Sequence, residues 1–129
     1  MKRFAWLTLV LVLLALSACN RESPLTEILP LDDFEGEIQG PFVNAITGES
    51  VLIELSTSIP TNCKVKYGPD QQYGSTATNM MDGSRSLNHT ITIKDLTPGT
   101  TYHYQLNLTD AEGRLYLSDD LTFTTASSD

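Results

Sequence analysis

The chain has 129 residues, with 8 Lys+Arg against 16 Asp+Glu and a formal net charge of −8 at pH 7. Without residues 1–18, which carry Lys2 and Arg3, 111 residues remain, with six basic and 16 acidic side chains. That suffices for one ordinary domain but not for a core plus a separate catalytic domain, and its acidity argues against nucleic acid as a partner.

Met1-Lys2-Arg3 is a basic start, and Phe4 to Leu16 is an apolar run broken only by Thr8. Such a run rises about 20 Å as a helix, short of the roughly 20 residues that cross a bilayer. Residues 1–18 therefore read as a secretory signal peptide. The residues that close it, Leu16-Ser17-Ala18-Cys19, resemble the lipobox of bacterial lipoproteins; the alternative is an ordinary signal peptide with a coincidental Cys19. The resemblance implies a diacylglyceryl group on the Cys19 thiol, cleavage before it and acylation of the new amino group. Two or three acyl chains hold a protein on a membrane stably where one holds it marginally. The implied location is the exported side of the cell membrane or the outer membrane. Asn20, where an aspartate would resemble an inner-membrane retention signal, favours the outer one.

A thioether at Cys19 would leave Cys63 as the lone thiol. The alternation in Asn62-Cys63-Lys64-Val65-Lys66-Tyr67 turns Cys63, Val65 and Tyr67 inward, where a cysteine behaves as a small hydrophobe; a reactive or metal-binding thiol is the alternative.

Residues 19–37 hold Pro24, Pro30, Asp32, Asp33, Glu35 and Glu37 without a sustained period. They read as the lipidated cysteine and an acidic, extended tether, although Leu25, Ile28, Leu29 and Leu31 would also form one helical turn against a partner. From residue 38 the chain is rich in Thr, Val, Ile and Tyr, and nothing reads as a helix of three turns. Strands are expected at about 38–44, 50–58, 62–68, 75–79, 87–94, 101–109 and 115–125, an all-β, seven-stranded immunoglobulin-like sandwich over 38–125 with a tail at 126–129. Thr47-Gly48 turns the chain, Pro60 is expected to stop the second strand, and Gly68-Pro69-Asp70 ends the third. Asp110-Ala111-Glu112-Gly113 makes the last hairpin, with Gly113 available for positive φ.

The stretch Leu96-Thr97-Pro98-Gly99-Thr100-Thr101-Tyr102 resembles the corner between the fifth and sixth strands of fibronectin type III domains. The resemblance implies that the Tyr102 hydroxyl bonds back to the backbone near Leu96. His89, Tyr102-His103-Tyr104, Val65-Lys66-Tyr67-Gly68 and Leu121-Thr122-Phe123-Thr124-Thr125 are similar, more narrowly, to the fibronectin-like N-terminal domain of purple acid phosphatases. One departure stands out. Fibronectin type III domains place a tryptophan in the second strand, and the only tryptophan here is Trp6, so Ile53 or Leu55 must fill that volume.

No catalytic constellation is legible. Two histidines cannot build a dinuclear metal site, and no Ser/His/Asp set, phosphate-cradling loop or metal-spaced cysteines occur. No cofactor and no metal are expected, and the chain does not read as an enzyme. His89, in phase with Ile91 and Ile93, reads as a core-edge residue, with a ligand role as the alternative. The carboxylate pairs Asp110/Glu112 and Asp119/Asp120 read as solvated turns, with weak calcium binding as the alternative. Two sequons begin at Asn88 and Asn107.

One face remains of interest. Residues out of phase with Val65, Tyr104, Leu106 and Phe123 should point outward on one sheet: Lys64 and Lys66, His103, Gln105 and Asn107, Tyr116 and Ser118. Lys64, Lys66, His103, Gln105 and Tyr116 would form a polar binding face with an aromatic anchor, or else an ordinary wet surface. Met80 and Met81 form a second candidate, an adaptable binding loop. The function these features suggest is a membrane-anchored, non-catalytic recognition or scaffolding module for an envelope protein or glycan. A carbohydrate-binding module, or an accessory domain beside a separately encoded metallophosphatase-type hydrolase, is the alternative.

Overall fold

The computed structural model describes residues 26–78 and 84–128. Its strands are β1 (Ile28–Pro30), β2 (Ile38–Asn44), β3 (Val51–Gly68), β4 (Ser75–Thr78), β5 (Ser86–Ile93), β6 (Thr101–Thr109), β7 (Leu115–Leu117) and β8 (Leu121–Thr124), with a 3-10 turn at Leu31–Asp33.

Two layers share one long strand. The first half of β3 pairs antiparallel with β2 on one side and β5 on the other. From Asn62 its second half pairs with β6, and from Lys64 with β4. β7 and β8 lie end to end beside β6, and β1 joins β7 in parallel. Pro60 therefore does not stop a strand; it marks the bend where β3 crosses from one sheet to the other. Lacking an N–H, it is tolerated on the exposed side of that corner. The Thr57 hydroxyl donates to the Ile59 carbonyl at 2.8 Å and closes the bend.

Strict alternation puts Val51, Ile53 and Leu55, then Cys63 and Val65, into the space between the sheets, where Ile91, Ile93, Leu106 and Leu108 meet them. Ile53 and Leu55 are both buried on the inner face of β3. Tyr102 and Phe123 stack with ring centroids 5.5 Å apart, and the Thr97 N–H donates to the Tyr102 hydroxyl at 2.9 Å. The tyrosine corner thus forms as expected.

Two expectations are corrected. The stretch 19–37 is not all tether. Glu27 accepts the Leu115 N–H at 2.8 Å, β1 extends the sheet, and Phe34 is buried edge-on against Tyr116 at 5.2 Å. Leu29 and Leu31 pack against the core as well, so these apolar residues dock rather than float. The second correction concerns 115–125, which is two strands. Between Tyr116, opposite Leu108, and Phe123, opposite Tyr102, the chain advances seven residues against six on β6. The extra residue lies near Ser118, whose hydroxyl accepts the Leu106 N–H at 2.9 Å and donates to its neighbour Asp119's carbonyl at 2.8 Å. A side chain that competes for backbone groups in this way favours a bulge.

Candidate functional site

The bulge decides the expected binding face. Seven residues apart on a regular strand, Tyr116 and Phe123 would face opposite sides; one inserted residue turns both inward. Tyr116 is 1% exposed and is not an outward anchor. Its hydroxyl donates to Asp110 Oδ2 at 3.1 Å. Ser118 is buried too.

The acidic turns are solvated only in part: Glu112 and Asp119 are exposed as expected, whereas Asp120 is half-buried and Asp110 is enclosed. Asp110 is buried, accepts the backbone N–H groups of Glu112 and Arg114 at 3.0 Å each, and takes the Arg114 guanidinium at 2.7 Å. Burial by itself would raise the Asp110 pKa, but these donors and Tyr116 outweigh it and hold the carboxyl below its ordinary value. Arg114 continues to Glu35 at 3.3 Å and fastens the N-terminal segment. Asp120 is the hub of a second cluster. It receives His103 Nδ1 at 2.7 Å, the Tyr73 hydroxyl at 2.9 Å and Gln71 Nε2 at 3.3 Å, and the bond from His103, with the others, lowers its pKa.

The expected face is therefore divided. His103 belongs to the Asp120 cluster, and Gln105 donates to the Ser118 carbonyl at 3.1 Å. Lys64 and Lys66 remain together on β3, both exposed and, among the described residues, without an ion pair. Lys64 stands opposite Asn107 on β6, and Lys66 opposite Gln105 on β6 and Thr76 on β4. Around them opens a groove of about 390 Å³ lined by Thr26, Lys64, Lys66, Thr76, Asn107, Thr109, Gly113 and Leu115. Asn107 is 7% exposed although its strand position faces outward. Its Oδ1 and that of Asn62, opposite Thr109, are the buried side-chain polar atoms without a partner among the described residues. Alternation in the sequence places Asn107 and Thr109 on this face; the burial of Asn107, and the contributions of Thr76 and Leu115, leave no local signal. Cover over Asn107 also closes the second sequon in the folded chain, while Asn88 is exposed.

The exposed aromatic lies on the other sheet. Phe42 on β2 is 57% exposed, beside a smaller pocket with Gln39, Glu54, Ser56 and Asn88. Cys63 is buried, and burial pushes its thiol up to about 12. His89 is buried against Thr61, with Nε2 and Oγ1 3.0 Å apart. Met80, Met81 and Cys19 lie outside the described residues.

Strand order, corner and face define a fibronectin type III-like β-sandwich. Solved structures share that fold. The sensor domain of the anti-sigma factor RsgI4 from Pseudobacteroides cellulosolvens is 20% identical, with a TM-score of 0.51 over 74% of this chain and 99% of that one. The sixth fibronectin type III domain of human fibronectin type III domain containing protein 3 is 16% identical, with a TM-score of 0.51 over 70% of this chain and 85% of that one. The fibronectin type III domain of the human KIAA0970 protein is 18% identical, with a TM-score of 0.51 over 71% of this chain and 74% of that one. Likeness at these identities is one of fold. No protein-family model and no curated protein matches the chain.

Proposed function

We propose that this protein is a non-catalytic recognition module, lipid-anchored through Cys19 on the exported side of a bacterial membrane, and that it engages its partner through the groove beside Lys64 and Lys66. The observation that carries the reading is the meeting, in one groove of a strongly acidic chain, of two cations without ion pairs among the described residues and a buried Asn107 oxygen without a partner among them. A buried polar atom without a partner costs about 1–3 kcal/mol, so a ligand that draws the Asn107 oxygen into a hydrogen bond recovers part of that energy on binding.

The groups best suited to chemistry are engaged in structure. Cys63 is held protonated by burial, His89 is enclosed with Thr61, and His103 is tied to Asp120. The fold-level likeness to a domain named as a sensor is in keeping with recognition and supplies no ligand. The lipid anchor rests on Leu16-Ser17-Ala18-Cys19 alone.

A crosslinking pull-down from intact cells tests the module, comparing wild type with a Lys64→Glu, Lys66→Glu double variant. One partner enriched by wild type and lost with the variant is the expected result; a partner unaffected by the charge reversal removes the groove from the reading. The intact mass of membrane-extracted protein tests the anchor. A chain that begins at Cys19 and carries acyl mass is expected, and an unmodified Cys19 overturns it.

A further inference from the structure

The groove makes two chemical demands of opposite kind. Lys64 and Lys66 offer ammonium donors that no carboxylate of the described residues answers. Asn107, which lines the groove, and Asn62, which stands opposite Thr109 just outside the lining, offer amide oxygens that no donor of the described residues answers. The Asn107 oxygen is covered as it stands; the terminal torsion of an asparagine is broad, and rotation about it turns the oxygen toward the groove that the residue lines.

Few ligand classes meet both demands. Simple carboxylates and sulfate accept hydrogen bonds and donate none, so they answer the lysines and leave the amides unpaired. Neutral sugars donate hydroxyls to the amides but bring no charge for the lysines. An acidic peptide of Asp and Glu residues brings side-chain acceptors and no side-chain donor, so its side chains answer the lysines and leave the amides unpaired. A compact ring that bears one carboxylate and several hydroxyls satisfies both sets at once. Leu115 and the lysine stems add apolar surface for its C–H face, and a volume of about 390 Å³ falls in the range of small-ligand sites, roughly 300–1,000 Å³.

We infer that the groove binds a polyhydroxylated carboxylate of the uronic-acid type, either free or as a residue of an acidic glycan. This rests on the recognition reading above and gives its ligand a class. The carboxylate sits between Lys64 and Lys66, and ring hydroxyls donate to Asn107.

Titration calorimetry of the soluble form beginning after Cys19 tests it, with galacturonic acid, its trimer, galactose, acetate and a tetraglutamate peptide as probes. Galacturonate or its trimer should bind at least tenfold more tightly than galactose, acetate or the peptide. A trimer bound much more tightly than the monomer assigns the site to a glycan chain; equal affinities assign it to the free acid. Lys64→Met with Lys66→Met should cost at least tenfold toward the uronate. Asn107→Leu should abolish the preference of uronate over acetate, and Phe42→Ala on the opposite sheet should change nothing. Denaturant midpoints confirm that each variant folds. Acetate or peptide binding as well as uronate overturns the ligand class while the recognition face stands. Loss of binding with Phe42→Ala places the site elsewhere and overturns the proposal. Absence of binding by every probe overturns it too; whether the lysine variant still captures a partner from cells then decides the fate of the face.

Discussion

The hydroxyl of Tyr116 donates to Oδ2 of Asp110 at 3.1 Å, and the same carboxylate oxygen accepts from Arg114 Nε at 2.7 Å. One buried acid thereby joins the last hairpin to the N-terminal segment, since Arg114 reaches Glu35 and the Tyr116 ring meets Phe34. Four expectations follow from this arrangement and from the core beside it.

Tyr116→Phe removes one donor to a buried carboxylate and keeps the ring. It should lower the unfolding free energy by about 1–3 kcal/mol, the scale of a hydrogen bond to a charged group. Tyr116→Ala also removes the surface that Phe34 packs on and should cost about 3–5 kcal/mol. Urea denaturation measures both. An alanine variant as stable as wild type would show that residues 28–35 do not depend on this ring.

Acid should weaken the same junction. Asp110 has a folded pKa below its ordinary value, so the folded state binds fewer protons than the unfolded chain at low pH. The stabilisation is complete above the unfolded pKa of about 3.9 and is lost as pH falls through the lower folded value. Denaturant midpoints between pH 5 and 2.5 should fall, and less steeply in Asp110→Asn, whose starting stability is lower. Parallel curves for the two proteins would assign the acid sensitivity to other carboxylates.

His89 acts at a milder pH. Burial lowers its pKa, against a smaller opposing effect of a hydrogen bond with the Ser86 backbone. Protons therefore prefer the unfolded chain, and stability should decline as pH drops below the unfolded value of about 6.5. The slope between pH 7 and 5 should shrink in His89→Gln, whose amide keeps a partner for Thr61. A slope unchanged by that substitution would show that His89 does not titrate in the window.

Cys63 should be inert while the protein is folded. Buried, and with its thiol pushed up to about 12, it carries almost no thiolate at pH 8. Ellman's reagent should label the soluble form slowly in buffer and completely in denaturing urea. Rapid labelling under native conditions would mean that the sandwich opens at β3 far more often than its packing implies.

The local pattern of the chain was sufficient for the sandwich, because alternation along a strand assigns faces without reference to anything distant. Val51, Ile53 and Leu55 turn inward on that rule, as do Cys63 and Val65, and Lys64 and Lys66 turn outward. The tyrosine corner is also local, its partners Thr97 and Tyr102 standing five positions apart. What alternation cannot carry is a change of parity. One extra residue near Ser118 reverses every face upstream of it on that strand, and Tyr116 moves from the surface into the core. Nor does composition reveal a parallel pairing with a distant strand: residues 28–30 look like linker until β7 is beside them, and Glu35 meets Arg114 across 79 positions of chain. The groove belongs to this second kind. Its lysines were legible one by one, but a buried amide without a partner exists only once β3, β6 and β7 are packed together, since burial is a property of neighbours and not of sequence.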